Sequence, residues 1–161
     1  MNTHDVLMYG HRWVHLHLDG LTDEQWLEPN VCGVWSTKDI IAHLTSFECL
    51  LIDVFSSCIR PTQTPVLEAF THTDGDSFNA VQVGMRQAKS PVEVLKEYDD
   101  AYAEGMKLLA QIDEKTLHTP GTLPWYGNEY SIQDLIVYQY YGHKREHCAQ
   151  IAVYRDRLKT R

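Results

Sequence analysis

Cysteine is scarce in this sequence and forms no recognisable motif. There are four cysteines, and no two of them make a C-x-x-C pair, so neither a thiolate zinc site nor a redox-active dithiol is indicated. The N-terminal residues also lack the basic and apolar stretches of a secretory signal. We therefore expect a cytoplasmic protein with reduced, buried or half-buried cysteines, namely Cys32, Cys49, Cys58 and Cys148.

Long apolar runs and an excess of positive charge are missing as well. No apolar run approaches the roughly 20 residues that cross a bilayer, so no membrane association is expected. The formal net charge is −8, which disfavours nucleic acid as a partner. The 161 residues suit a single domain spanning 1–161. A solvated helix face accounts for the basic residues near the C-terminus: Lys144, Arg145, Arg155, Arg157, Lys159 and Arg161.

Strand-like alternation is almost absent, and apolar residues recur at helical spacing instead. Ser36, Ser90 and Ser131 are each followed three residues later by an acid, which predicts capping boxes at the starts of long helices. A weaker helix is expected from Ser77 to Ala88, after a loop from Arg60 to Pro65. The main helices are predicted from Thr3 to Asp19, from Ser36 onward, from Ser90 to about Ile112, and from Ser131 to Leu158.

A weak internal repeat relates the two halves of the chain. The pattern Trp35-Ser36-Thr37-Lys38-Asp39-Ile40-Ile41 is echoed by Tyr130-Ser131-Ile132-Gln133-Asp134-Leu135-Ile136. Each half then consists of a helix, an acidic turn, a loop and a capped helix. Two such hairpins predict an all-α four-helix bundle with a long crossover between the second and third main helices. The core of such a bundle commonly hosts metal ions.

Two histidines four residues apart, His143 and His147, stand in the predicted last helix. Residues at this spacing share a helical face, and here the face is apolar. Buried imidazoles need partners for their nitrogens, and a metal ion accepts a lone pair from each ring. Hydrogen bonds to a carbonyl, a carboxylate or a tyrosine would also satisfy them. The apolar face consists of Ile132, Ile136, Tyr140, Ile151, Tyr154 and Leu158.

A third ligand would come from another helix. His43 is the leading candidate, because it lies at the edge of the inward stripe of the second helix, which the repeat pairs with the last helix. His11 is the competitor, since it falls in the apolar stripe of the first helix as a ligand or as a neighbour of one. His15 forms a second H-x-x-x-H with His11 but sits off-centre. The histidines expected to be exposed are His4, His72 and His118.

Named metal motifs fit less well than a three-histidine site. H-x-x-E-H is present at 143–147, but peptidases with this motif take a third ligand well downstream, and only fourteen residues follow His147. The H-E-x-x-H motif fails because Lys144 occupies the position of the general base. No core histidine has a glutamate three residues before it, as a di-iron bundle requires. One mononuclear three-histidine site remains.

Most of the chain follows one order of motifs: Trp35-Ser36-x-x-Asp39-Ile40-Ile41-Ala42-His43-Leu44, and about a hundred residues later His143-x-x-x-His147. In this order the sequence resembles the DinB/YfiT-like superfamily. The resemblance implies a four-helix bundle with a long crossover, and it implies that His43, His143 and His147 are the metal ligands. It also implies a homodimer, and a link to stress response rather than to DNA binding.

The resemblance implies several activities, since some members are thiol S-transferases, others are described as metal-dependent hydrolases, and a related bundle is a maleylpyruvate isomerase. We predict a low-molecular-weight thiol S-transferase acting on a small electrophile, with a hydrolase or a non-catalytic binding bundle as alternatives. The expected cofactor is one divalent transition metal, with zinc or nickel preferred over iron or copper. A low-molecular-weight thiol is expected as a second cofactor. Candidates for supporting the ligands or for transferring protons are Glu146, Tyr138 and Tyr141, although by the helical count Glu146 points away from the centre line of His147. Candidate pocket residues, which would equally close the bundle end, are Trp35, Trp125 and Tyr126.

Overall fold

The computed structural model describes residues 2–160, and these residues are mostly helical, with no β-strand. A single isolated bridge within this range joins Cys32 to Trp35. The prediction of an all-α fold is confirmed. The α-helices are α1 (Thr3–Leu18), α2 (Asp23–Leu27), α3 (Thr37–Ile59), α4 (Pro65–His72), α5 (Gly75–Gly84), α6 (Pro91–Leu109), α7 (Glu114–His118), α8 (Ile132–Leu135) and α9 (His143–Lys159), and a π-helical segment, Ile136–Gly142, joins the last two.

Serine caps determine where three of these helices begin. The Ser36 hydroxyl accepts from the Asp39 backbone N–H at 3.2 Å, and the Asp39 carboxylate accepts from the Ser36 N–H at 3.0 Å. Ser90 and Ser131 start α6 and α8 with the same reciprocal pair. The three predicted capping boxes are therefore confirmed. Each is of a kind that contributes about 1 kcal/mol to helix stability.

The segment between α3 and α6 differs from the prediction. A helix, α4, begins at Pro65, where only a loop was expected, and the predicted helix from Ser77 to Ala88 is instead α5, which ends at Gly84. Asp53 on α3 explains the first difference, because its carboxylate accepts from the backbone N–H groups of Val66 and Leu67 at 2.7 and 3.1 Å. A cap supplied by another helix leaves no local sequence signal. The four-helix count and the crossover stay predictions.

Helix α3 is the centre of the fold. It packs extensively against α6, while α1 packs against α9 and the π-helical segment. By length and mean hydropathy α3 passes the test for a membrane span, but 72% of that stretch is buried inside the protein. A mostly buried core helix passes the same test of length and hydropathy.

The predicted last helix is continuous in space but changes type. Between α8 and α9 the turns widen, and the backbone N–H of His143 donates to the Tyr138 carbonyl five residues earlier. Such π-helical turns are rare and occur often at functional sites. Ile136 and Tyr140 stay buried within the segment. The widened turns end directly at His143, so they set the rotation at which α9 presents its histidines.

Lys144 does not lie on a solvated helix face, as was predicted, but is buried. It is 1% exposed, and its Nζ lies 2.5 Å from Oε1 of the equally buried Glu48 on α3. Gly10 on α1 makes room, since a Cβ there would lie 3.3 Å from the Lys144 Cδ. The prediction was wrong because the burying partners, Glu48 and Gly10, are remote in sequence. Of the other basic residues, Arg145, Arg157 and Lys159 are exposed, Arg155 is half-buried, and Arg161 lies outside the described residues.

Candidate metal centre

Three histidine rings converge on one point between α3 and α9. The Nε2 atom of His143 lies 2.9 Å from Nε2 of His43 and 2.9 Å from Nε2 of His147. His43 comes from the second turn of α3, and the other two come from the first two turns of α9. Their ligand atoms all lie within 4.8 Å of one another. The structure thus brings together the three residues that the resemblance assigns as ligands.

Burial keeps these rings neutral. His43 is 3% exposed and His147 is 7% exposed. Loss of hydration, reinforced by the neighbouring imidazoles, lowers the pKa of His43 to about 3 and that of His143 to about 4. Burial also lowers the pKa of His147, although its hydrogen bond with Gln150 opposes the shift. At neutral pH each ring therefore has a lone pair to offer.

A divalent ion fits this donor set better than hydrogen bonds do. A neutral imidazole has one N–H donor and one lone-pair acceptor, and each lies on a different ring nitrogen. The His143 Nε2 contacts two other Nε2 atoms, so a single proton or lone pair on it cannot satisfy both. Tetrahedral zinc with bonds of 2.0–2.1 Å separates its donors by about 3.3 Å. The observed separations of 2.9 Å need only a small expansion to reach that geometry.

One partner outside the cluster orients a ring. Nδ1 of His147 lies 2.8 Å from the Gln150 Oε1, an arrangement in which the ring N–H donates and Nε2 is left free as a ligand. The Nδ1 atoms of His43 and His143 are instead buried without a hydrogen-bond partner. Asn79 near His43 and the Gln139 backbone near His143 only oppose the lowering of the pKa by burial. Gln150 was missed in the sequence, although its spacing of three residues from His147 places it on the same helical face.

Aromatic side chains enclose the cluster. The Trp35 ring centroid lies 5.0 Å from that of His43 and 6.5 Å from that of His147. The Phe47 ring centroid lies 4.6 Å from that of His143 and 5.0 Å from that of His43. On its other side the Phe47 ring packs against Phe70, with centroids 5.9 Å apart. A cavity of about 30 Å³ adjoins Phe47. Its aromatic lining is Phe47, Phe70, Trp125, Tyr126 and Tyr140.

The predicted pocket residues lie near this cluster, whereas the predicted proton-transfer groups do not line the cavity. Trp35 touches the histidines, and both Trp125 and Tyr126 line the cavity. Tyr138 is 62% exposed, and Glu146 is exposed as its helical position predicts. Phe47 was missed as a pocket residue, although it stands one helical turn after His43. Phe70 could not have been found, because it lies on the unpredicted α4.

The remaining histidines fall outside the three-histidine cluster. His4, His72 and His118 are exposed, as predicted. His11, the competing third ligand, instead lies 3.3 Å from the Asp99 carboxylate on α6, which His15 approaches at 2.7 Å. The sequence left His11 and His43 as alternatives, and only His43 joins His143 and His147.

The comparison with protein families agrees with the geometry. The family model of the DinB superfamily matches residues 11–151, which include all three clustered histidines. No curated protein and no solved structure gives a significant match. The match covers most of the 161 residues and confirms the resemblance in the sequence. The chain belongs to the DinB superfamily, and its three-histidine cluster fits a family that binds divalent metals.

Proposed function

We propose that this protein is a metal-dependent transferase that joins a low-molecular-weight thiol to a small electrophile. The observation that carries the proposal is the convergence of three neutral imidazole Nε2 atoms beside an aromatic wall. His43, His143 and His147 would hold one divalent ion, with zinc or nickel suited to imidazole donors. Three protein ligands leave a position open, as in catalytic rather than structural zinc sites.

The ion would supply a positive charge that favours the thiolate form of a thiol, which is the nucleophilic form. The three protein ligands are neutral rings and add no negative charge. The full positive charge of the ion therefore stays available to stabilise a thiolate. Gln150 behind His147 is likewise an uncharged amide. A carboxylate at either position would weaken the attraction for an anionic thiolate. This choice of groups supports thiol transfer over a reaction that needs a carboxylate base.

The aromatic residues would bind the electrophile. Phe47 and Phe70 stand between the histidines and Trp125, with successive ring centroids 5.9 Å apart. Flat faces of this kind favour an aromatic or otherwise apolar substrate. The cavity of about 30 Å³ holds about one water molecule, so the substrate must displace side chains from α4 or the Trp125 loop.

With 1-chloro-2,4-dinitrobenzene as the electrophile, the balance of the step is simple. The thiol loses its proton to solvent, and the sulfur lone pair attacks the ring carbon that bears chlorine. A carbon–sulfur bond forms, the carbon–chlorine bond breaks, and chloride leaves with the bonding pair. No oxidant or reductant is consumed.

The test combines metal content with turnover. Protein purified without an affinity tag would be loaded with Zn²⁺ or Ni²⁺ and assayed with glutathione, cysteine or coenzyme A and this electrophile. His43→Ala, His143→Ala and His147→Ala should each lose both turnover and one equivalent of metal. His118→Ala is the matched control, because it removes an exposed histidine that contacts Glu114.

Three results would contradict the proposal. Full metal loading without turnover of any thiol would favour the non-catalytic binding bundle. Ester hydrolysis that needs the three histidines but no thiol would favour the hydrolase. Turnover that survives the loss of His147 would show that the cluster is not the reaction centre.

A further inference from the structure

A second group of metal-ligating side chains lies between α1 and α6. Nε2 of His15 is 2.7 Å from Oδ1 of Asp99, and Nε2 of His11 is 3.3 Å from the same oxygen. The ligand atoms of these three residues all lie within 4.8 Å of one another. We propose that His11, His15 and Asp99 form a second site for a divalent transition metal, separate from the three-histidine cluster.

The donor set is suited to such an ion. Two imidazoles and one carboxylate are a ligand combination of mononuclear zinc sites and of non-haem Fe²⁺ sites, and both kinds keep open positions. His11 and His15 are four residues apart on α1, which places both rings on one face. Asp99 on the facing helix completes the triangle. The His11–Asp99 separation of 3.3 Å equals the donor separation of about 3.3 Å in a tetrahedral zinc site, and the His15–Asp99 separation of 2.7 Å would have to lengthen to reach it.

The ring of His11 is held in place before any ion binds. It stacks on Tyr102 with centroids 3.8 Å apart and planes 6° apart, and on Tyr98 at 5.1 Å. Its side chain is 15% exposed, and its Nδ1 is buried without a hydrogen-bond partner. The neighbouring Lys144 ammonium is paired with Glu48 at 2.5 Å, which reduces its repulsion of a bound cation.

Solvent reaches this group more easily than the three-histidine cluster. His15 and Asp99 have side chains that are 39% and 40% exposed. The two histidines line an open groove of about 640 Å³, together with Asp19 and Leu95. An ion here would have its remaining coordination positions directed toward water or a ligand in the groove. It would therefore exchange faster than an ion held among the aromatic residues.

A hydrogen-bonded alternative defines the decisive variant. Two ring N–H groups that donate to one carboxylate oxygen would give the same distances without a metal. Asp99→Asn keeps the shape and one accepting oxygen but removes the negative charge. It therefore preserves much of a hydrogen-bonded cluster and weakens a metal site.

The experiment has two measurements. Chelator-treated protein is titrated with Co²⁺ and followed by its absorption spectrum, and the zinc content of Zn²⁺-loaded protein is measured by plasma mass spectrometry. The wild type should bind two ions per chain, and Asp99→Asn and His15→Ala should each bind one. His147→Ala should also bind one ion, at the second site. Adding Asp99→Asn to His147→Ala should lower the affinity for this ion by at least about tenfold, which is the loss seen when a residue that only hydrogen-bonds to a ligand is removed. His17→Ala is the control, because it removes a histidine of the same helix whose Nδ1 contacts the Trp13 carbonyl.

Two outcomes overturn the second site, whereas one ion in the wild type and none in Asp99→Asn would overturn only the three-histidine site. One ion in the wild type, unchanged in Asp99→Asn, would show a hydrogen-bonded cluster only. Two ions in both the wild type and Asp99→Asn would place the second ion elsewhere. Because Asp99 and His15 are half-exposed, their variants should remain folded, and circular dichroism verifies this. The result is independent of the proposed transferase activity, since the three-histidine cluster is intact in these variants.

Discussion

The Nε2 atoms of His43 and His143 lie 2.9 Å apart, although 100 residues separate them in the chain. One belongs to α3 and the other to the start of α9, directly after the π-helical segment. Helix α9 has more extensive contact with α1 than with α3. His143 and His147 on α9 therefore meet His43 where the contact between α3 and α9 is small. The cluster therefore depends on the rotation of α9 as much as on helix pairing.

Removal of Gln150 should weaken metal binding without abolishing it. Gln150→Leu deletes the acceptor that orients the His147 ring, so we expect the affinity of the three-histidine cluster for Zn²⁺ to fall by about tenfold to a hundredfold. Competition with a chromophoric chelator measures this, and Gln111→Ala is the control for loss of an exposed glutamine. An unchanged affinity in Gln150→Leu would show that the hydrogen bond does not orient the ligand.

Truncation of Phe70 should enlarge the cavity beside the cluster. Phe70→Ala removes a wall between Phe47 and Trp125, so KM for a bulky aromatic electrophile should fall relative to that for a small one. The half-buried ring should cost about 2 kcal/mol of stability when lost. Leu67→Ala, on the same helix but outside the cavity lining, should leave the KM ratio unchanged. A parallel change in both variants would mean that α4 acts only through stability.

The metal-free protein should lose stability as the solution becomes acidic. Burial lowers the pKa of His43 to about 3 and of His143 to about 4, whereas the unfolded chain has histidines near 6.5. Between these values the unfolded state binds more protons, so the free energy of unfolding is fully present above pH 6.5 and declines as pH falls toward 4. The decline should be about 1.4 kcal/mol per pH unit for each ring.

Urea unfolding of chelator-treated protein between pH 8 and pH 5 measures this decline, above the range in which most carboxylates titrate. His43→Leu should reduce the slope, and His118→Ala should not. A free energy of unfolding that stays constant from pH 7 to pH 5 would contradict the depressed pKa values of the buried rings.

The buried Lys144–Glu48 pair should be sensitive to loss of either partner alone. Lys144→Met leaves the Glu48 carboxylate buried without its cation, so we expect a loss of about 3–5 kcal/mol. The double variant with Glu48→Leu should recover most of this loss, because no isolated charge remains. The exposed pair Lys96–Asp100 is the matched control and should contribute below about 0.5 kcal/mol. Denaturant unfolding of the double-mutant cycle gives the coupling energy.

The local features of this protein follow from its sequence. Serine caps with an acid three residues later predict the starts of α3, α6 and α8, since both partners of each box lie within one helical turn. The spacing of His143 and His147 likewise predicts a shared helical face. Periodicity describes one helix at a time, and these features belong to single helices.

Tertiary structure decided the sites and contacts that are formed by residues from two different helices. His11 and His43 both fall on inward faces, and only the rotation and level of α1 and α3 determine which ring meets α9. The same holds for the Asp53 cap of α4 and for the burial of Lys144, whose partners lie far away in the chain. Hydrophobic periodicity gives the direction of a side chain but not its position along the neighbouring helix. Position along the neighbour is what brings a ligand, a cap or a counter-charge within bonding distance.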